Sequence, residues 1–155
     1  MKHRITICTV VNDHCKEVVF WTDKAREIGL SGKRISTFDN ICKISLSNNM
    51  VILLTASPRF RDSAIPKPDC VLDYDVNCVD AYDYEGNHLW NIAEIIGNVG
   101  SSICNGHVCS TKWLTGGANE GYIEGHELFV CWDCNEVRYL IDLDEKRVIH
   151  KMITR

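Results

Sequence analysis

Residues 77–92 read NCVDAYDYEGNHLWNI. Apolar and polar side chains alternate up to Tyr84, the chain turns at Glu85-Gly86-Asn87, and alternation resumes into Trp90. A period of two puts neighbouring side chains on opposite faces of a strand. A Gly-containing turn between two such runs is the local signature of a β-hairpin. That hairpin sets the expected class as mainly β, with α+β carrying one short helix as the alternative.

The same reading extends along the chain. Arg4 to Val11 is β-branched and alternating, Asn12-Asp13-His14 is a turn, and Lys16 to Trp21 returns, giving a first hairpin. Thr22 offers an N-cap for Asp23 to Ile28 with Gly29 as a stop, so one or two helical turns, or an irregular loop, are expected there. Ser31 to Asp39 carries no clear period. Ile41 to Leu46 and Met50 to Ala56 form a second hairpin around Ser47-Asn48-Asn49, and Val51-Ile52-Leu53-Leu54 reads as a buried strand. All three prolines fall in residues 57–69, at 58, 66 and 68, which predicts a long loop. Ala93 to Ile96 can add a helical turn before Gly97. Residues 98–124, rich in Gly, Ser and Asn, are expected to be irregular. Glu127 to Trp132, Val137 to Leu143 and Arg147 to Met152 predict a closing three-stranded meander. The sum is eight or nine strands in antiparallel hairpins and meanders, sandwich- or barrel-like, in a single domain over residues 1–155.

The hairpin segment Ala81-Tyr82-Asp83-Tyr84-Glu85-Gly86-Asn87-His88-Leu89-Trp90 resembles the outer-strand hairpin of quinoprotein-like β-propeller repeats. Tyr139 to Asp144 with Arg147-Val148-Ile149 is a weaker echo that lacks the turn glycine and the tryptophan. The resemblance implies that Asp83 accepts turn amide hydrogen bonds, Gly86 supplies a positive φ and Trp90 covers the apolar face. Residues 77–92 and 139–149 together make up about a sixth of the chain. A propeller needs about four or more blades of about 40 residues, so the likeness is read as a shared hairpin. It implies no quinone cofactor.

Charge and cysteine content bound the function. A net charge of −4 and a pI near 5.8 lack the concentrated basic face of a nucleic-acid binder. No apolar run is long enough for a membrane-spanning helix. The first fifteen residues lack a signal-peptide cleavage pattern, so the expected location is cytoplasmic. Nine cysteines, an odd number, predict reduced thiols that pack as small hydrophobes.

Two constellations stand out. Cys104, His107 and Cys109, followed by Cys131 and Cys134, are the ligand types of tetrahedral zinc. Against this, Cys131 alternates with Val130 and Trp132 as a strand residue, and the default expectation is no cofactor. Cys104 or Cys109 with His107 as a nucleophile lacks a third, orienting group. The second constellation is acidic. Asp69, Asp73, Asp75, Asp80 and Asp83, interleaved with Tyr74, Tyr82 and Tyr84, suit a face for a basic protein partner. Arg59, Phe60, Arg61 and Lys67 form a small basic and aromatic cluster. His3, His14, His88, His126 and His150 fall singly, with no partner at ligand spacing.

No catalytic signature stands in the chain, so an enzyme is not expected. The expectation is a small soluble protein-binding module, such as a bacterial immunity protein that occludes the active site of a nuclease-like toxin domain. The contact residues would be Asp73, Tyr74, Asp75, Asp80, Tyr82, Asp83 and Tyr84. The alternative is a zinc-binding or thiol-dependent protein using the Cys104–Cys134 cluster.

Overall fold

The computed structural model describes residues 4–11, 14–21, 26–37, 40–56, 78–97, 103–110 and 125–154, with side chains for all of these except 4–17, 21, 56 and 110. Within them the chain is mainly β. Twelve strands form three four-stranded sheets, every pairing is antiparallel, and no sheet closes into a barrel.

The first sheet is β1 (Arg4–Val11), β2 (His14–Trp21), β3 (Glu27–Leu30) and β4 (Lys33–Ser36). The second is β5 (Asn40–Leu46), β6 (Val51–Ala56), β7 (Val79–Tyr82) and β8 (His88–Asn91). One short helix, α1 (Ala93–Ile96), follows and stops at Gly97, whose φ is 72°. The third sheet is β9 (Ile103–Ser110), β10 (Glu127–Asp133), β11 (Val137–Asp142) and β12 (Arg147–Ile153). In each sheet the strands lie side by side in chain order. The whole described chain is therefore one four-stranded meander written three times.

The second sheet is the middle layer. On one face Met50, Ile52, Leu54, Val79, Ala81 and Trp90 pack against Ile103, Phe129, Cys131, Tyr139 and Ile141 of the third sheet. On the other, Val51 and Leu53 pack with Val18, Ile28, Leu30 and Ile35 of the first. This explains the unbroken apolar run in β6. A strand buried on both faces has no solvent side on which to place polar residues. Leu128, Val130 and Leu140, on the opposite face of the third sheet, are also buried.

The packing is tight at Gly106 on β9, which pairs with Cys131. A β-carbon at Gly106 would stand 2.5 Å from Cζ of Phe129. Only a residue without a side chain lets the ring lie against this strand.

Three expectations need correction. Glu27–Leu30 is a strand, not the end of a helix: Gly29, the expected stop, pairs with Val19 on one side and Arg34 on the other. Ile28 and Leu30 are fully buried in the core, and that burial overrides the local helix-cap signal. Residues 103–110 form a full strand inside the region expected to be irregular. Asn105, Gly106 and Cys109 masked its pattern, yet pairing along β10 holds it. Among the described residues alone the strand count is twelve, against the eight or nine expected. The expected loop over residues 57–69 lies outside the described residues, as does Trp113-Leu114.

Candidate functional site

Four of the seven expected contact residues lie among the described ones, all on the β7–β8 hairpin; Asp73, Tyr74 and Asp75 fall outside. The β7–β8 register pairs Asp80 with Asn91 and Tyr82 with His88. Asp80 Oδ1 lies 2.8 Å from His88 Nε2 and accepts a hydrogen bond from Asn91 Nδ2 at 3.0 Å. The His88 ring meets Tyr82 edge to face, with centroids 5.2 Å apart. Burial first, then the Asp80 carboxylate, raises the Tyr82 pKa above the ordinary phenol value and keeps the hydroxyl protonated. A carboxylate, an imidazole, an amide and a phenol thus form one fixed patch, each half-buried or exposed.

Asp83 and Tyr84 play different parts. Asp83 Oδ1 accepts the amide N–H groups of Glu85 (3.0 Å) and Asn87 (2.8 Å), and Asn87 Nδ2 donates to Asp83 Oδ2 (3.0 Å). Burial would raise the Asp83 pKa, but the hydrogen bonds from Asn87, Glu85 and Gly86 outweigh it and hold the pKa below the usual carboxylate value. Gly86 takes φ 88°, and Trp90 is 1% exposed. The aspartate, glycine and tryptophan therefore do what their pattern implies. Tyr84 is buried in the core between the first two sheets. Its hydroxyl donates to the Ser47 carbonyl at 2.6 Å, and its own carbonyl accepts from Ser31 Oγ at 2.7 Å. It ties three turns together and offers no contact surface. Of the described set, Asp80, Tyr82 and Asp83 remain on the surface, joined by His88 and Asn91.

The aspartate-held turn recurs. Asp133 Oδ1 accepts from the amides of Asn135 (2.8 Å) and Val137 (3.0 Å), and Tyr139 donates to Asp133 Oδ2 (3.3 Å). Asp142 Oδ1 accepts from the amides of Asp144 and Glu145, each at 2.9 Å. In these two turns the positive-φ positions are filled by Glu136 (64°) and Lys146 (54°). A lysine stands where the weaker hairpin echo lacks its glycine.

The five thiol and imidazole groups of the zinc alternative do not converge. Register places His107 opposite Val130 and Cys109 opposite Leu128, on the face away from Cys131. Cys104 sits at a bulge in β9, and its thiol donates to the Trp132 carbonyl at 3.5 Å. Cys131 is fully buried, and burial drives its thiol pKa far up. Cys78, absent from the expected set, is similarly raised by burial to about 11 and exchanges hydrogen bonds with the Ile103 backbone. His107 stacks on Trp132 with ring centroids 5.6 Å apart. Burial, and then Lys43, lower its pKa.

Two of the histidines expected to be solitary, His88 and His126, are not. Beyond His88, His126 Nδ1 lies 2.8 Å from Asp142 Oδ2 and 3.7 Å from Asp144 Oδ2. These three are the only described His/Cys/Asp/Glu trio whose ligand atoms fall within 4.8 Å of one another. The hydrogen bond to the buried Asp142 is the main cause that raises the His126 pKa. Sixteen residues separate the pair, too far for a spacing argument; only the β10–β11 register, with Leu128 opposite Asp142, brings them together. Another missed signal lay in plain view. Ile7-Cys8, Ile41-Cys42 and Ile103-Cys104 recur in the first strand of each sheet. Cys42 and Cys104 are both bulge residues whose thiols donate to a carbonyl of the next strand. Just after them, Lys43 Nζ donates to Asn105 Oδ1 at 3.1 Å across the two sheets.

No protein-family model matches the chain, and no curated protein matches its sequence.

Proposed function

We propose that this chain is a protein-binding module whose contact surface is the β7–β8 patch of Asp80, Tyr82, Asp83, His88 and Asn91, and whose partner presents basic side chains. The observation that carries this reading is the fixing of Asp80 by His88 and Asn91 beside the Tyr82 ring. A carboxylate already held in place loses little entropy on meeting a cation. Tyrosine adds contact area at low conformational cost. The neighbouring strand β6 is buried on both faces and pairs with β7, so the patch is anchored to a rigid support. An inhibitor of the immunity type, which blocks a basic active site of a nuclease-like toxin, is the role that suits an acidic chain of this size.

The test is a pull-down with the intact chain as bait, followed by measurement of Kd for the recovered protein. Asp80→Asn combined with Tyr82→Ala should weaken the complex at least about tenfold, and added salt should weaken the wild-type complex further. An unchanged Kd in the double variant, with its fold intact, would exclude this surface.

A further inference from the structure

Of the three aspartate-held turns, the one that follows β11 alone gathers a histidine and a second carboxylate among the described residues. Leu128 stands opposite Asp142 across β10–β11. Cross-strand partners, and residues two apart on one strand, share a face, so His126, just before β10, reaches the side of the sheet that holds Asp142. The turn at Leu143 to Lys146 brings Asp144 back to the same place. His126 Nδ1 then lies 2.8 Å from Asp142 Oδ2 and 3.7 Å from Asp144 Oδ2, and one ligand atom from each of the three falls within 4.8 Å of the others.

Asp142 divides its two oxygens between different tasks. Oδ1 accepts from the amides of Asp144 and Glu145, which fixes the carboxylate as outer-shell partners fix a metal ligand. Oδ2 faces the His126 ring. Asp142 is fully buried, but the side chains of His126 and Asp144 keep 24% and 46% of their surface exposed, so the trio opens to solvent through these two. A cation needs no empty cavity here, because it would take the place of the hydrogen between Nδ1 and Oδ2. For bonds of about 2.1 Å, the separations of 2.8 and 3.7 Å subtend roughly 85° and 125° at a shared centre, which bracket the octahedral and tetrahedral angles. Two aspartates balance a divalent charge, and among the described residues His126 is the only basic side chain that pairs with either. An imidazole nitrogen favours first-row transition cations over magnesium and calcium, which prefer shells of oxygen alone.

We propose that His126 Nδ1, Asp142 Oδ2 and Asp144 Oδ2 form a binding site for a first-row divalent cation, with zinc the favoured ion and water completing its shell. This site is independent of the β7–β8 patch and of the Cys104–Cys134 set.

The test uses the full chain, reduced and stripped of metal with a chelator. It is titrated with zinc chloride and, separately, with magnesium chloride by calorimetry, and with cobalt(II) by absorption. The expected result is saturable zinc binding, magnesium weaker by at least about tenfold, and cobalt d–d bands without a sulfur-to-cobalt charge-transfer band. His126→Asn and Asp144→Asn should each weaken zinc binding at least about tenfold, whereas Cys104→Ser and Cys134→Ser, both at exposed positions, should leave it unchanged. Should His126→Asn fail to fold, Asp144→Asn, at an exposed side chain, carries the test alone. Zinc that does not saturate, cobalt bound only with a thiolate band, or an affinity unchanged in the folded histidine and aspartate variants would overturn the proposal.

Discussion

Gly106→Ala probes the junction on which the stacking of the second and third sheets depends. The added carbon would meet Phe129 at 2.5 Å from Cζ and 3.1 Å from each Cε. Carbon atoms in ordinary contact stand about 3.5–4.0 Å apart, so the ring must retreat by about 1 Å. Phe129 is 1% exposed and shares its core with Ile52, Trp90 and Ile141, so it has nowhere empty to go. Overpacking of this kind costs about 1–3 kcal/mol. Replacing glycine returns about 0.5–1 kcal/mol through the less flexible unfolded chain. The net expectation is a loss of about 1 kcal/mol. Equilibrium urea unfolding should show a lower midpoint with an unchanged slope. Phe129→Leu removes the atoms that clash, so in that background the alanine should cost less, with a coupling of at least about 0.5 kcal/mol. If Gly106→Ala is neutral, or if the two losses simply add, the ring does not lie where this packing puts it.

Other perturbations test other parts. Lys146→Gly relieves a left-handed backbone and should raise stability by about 0.5–1 kcal/mol, seen as a higher thermal midpoint. Asp133→Ala removes an acceptor from two turn amides and from Tyr139, and should lower unfolding stability by about 2–3 kcal/mol. The His126–Asp142 pair predicts a pH dependence. Because the folded pKa of His126 is raised, its contribution is fully present below the unfolded value of about 6.5 and is lost as pH rises through the folded value. Wild type minus His126→Asn stability should therefore shrink from about pH 6 to pH 8 in paired urea titrations; a constant or growing difference would contradict the pairing.

The strands were legible where one face is wet and the other dry, as in Val79–Tyr82, or where both are dry, as in Val51–Leu54. Three strands hid: Lys33–Ser36 lay in a stretch with no clear period, and the other two hid for different reasons. Glu27–Leu30 is short and contains Gly29, so a cap-and-stop pattern outweighed four residues of alternation; its partners on β2 and β4 decide the matter. Ile103–Ser110 carries Asn105 and Gly106, read as loop chemistry, but Gly106 is there to admit Phe129. The turn chemistry of Asp83, Gly86 and Trp90 was readable because it is local. The His88–Asp80 and His126–Asp142 contacts were not, because register and turn geometry create them. The likeness to a propeller repeat was carried by one hairpin. The threefold meander beneath it had a sequence trace in the Ile-Cys pairs, too brief to stand out against nine cysteines.

The assignment of the β7–β8 patch as the contact surface meets its most direct test in hydrogen exchange on the chain with and without its captured partner. The amides of residues 80–91 should gain protection in the complex beyond that of the free chain, with Asp80→Asn abolishing the gain. Protection that falls on residues 138–150 instead, with 80–91 unchanged, would contradict it.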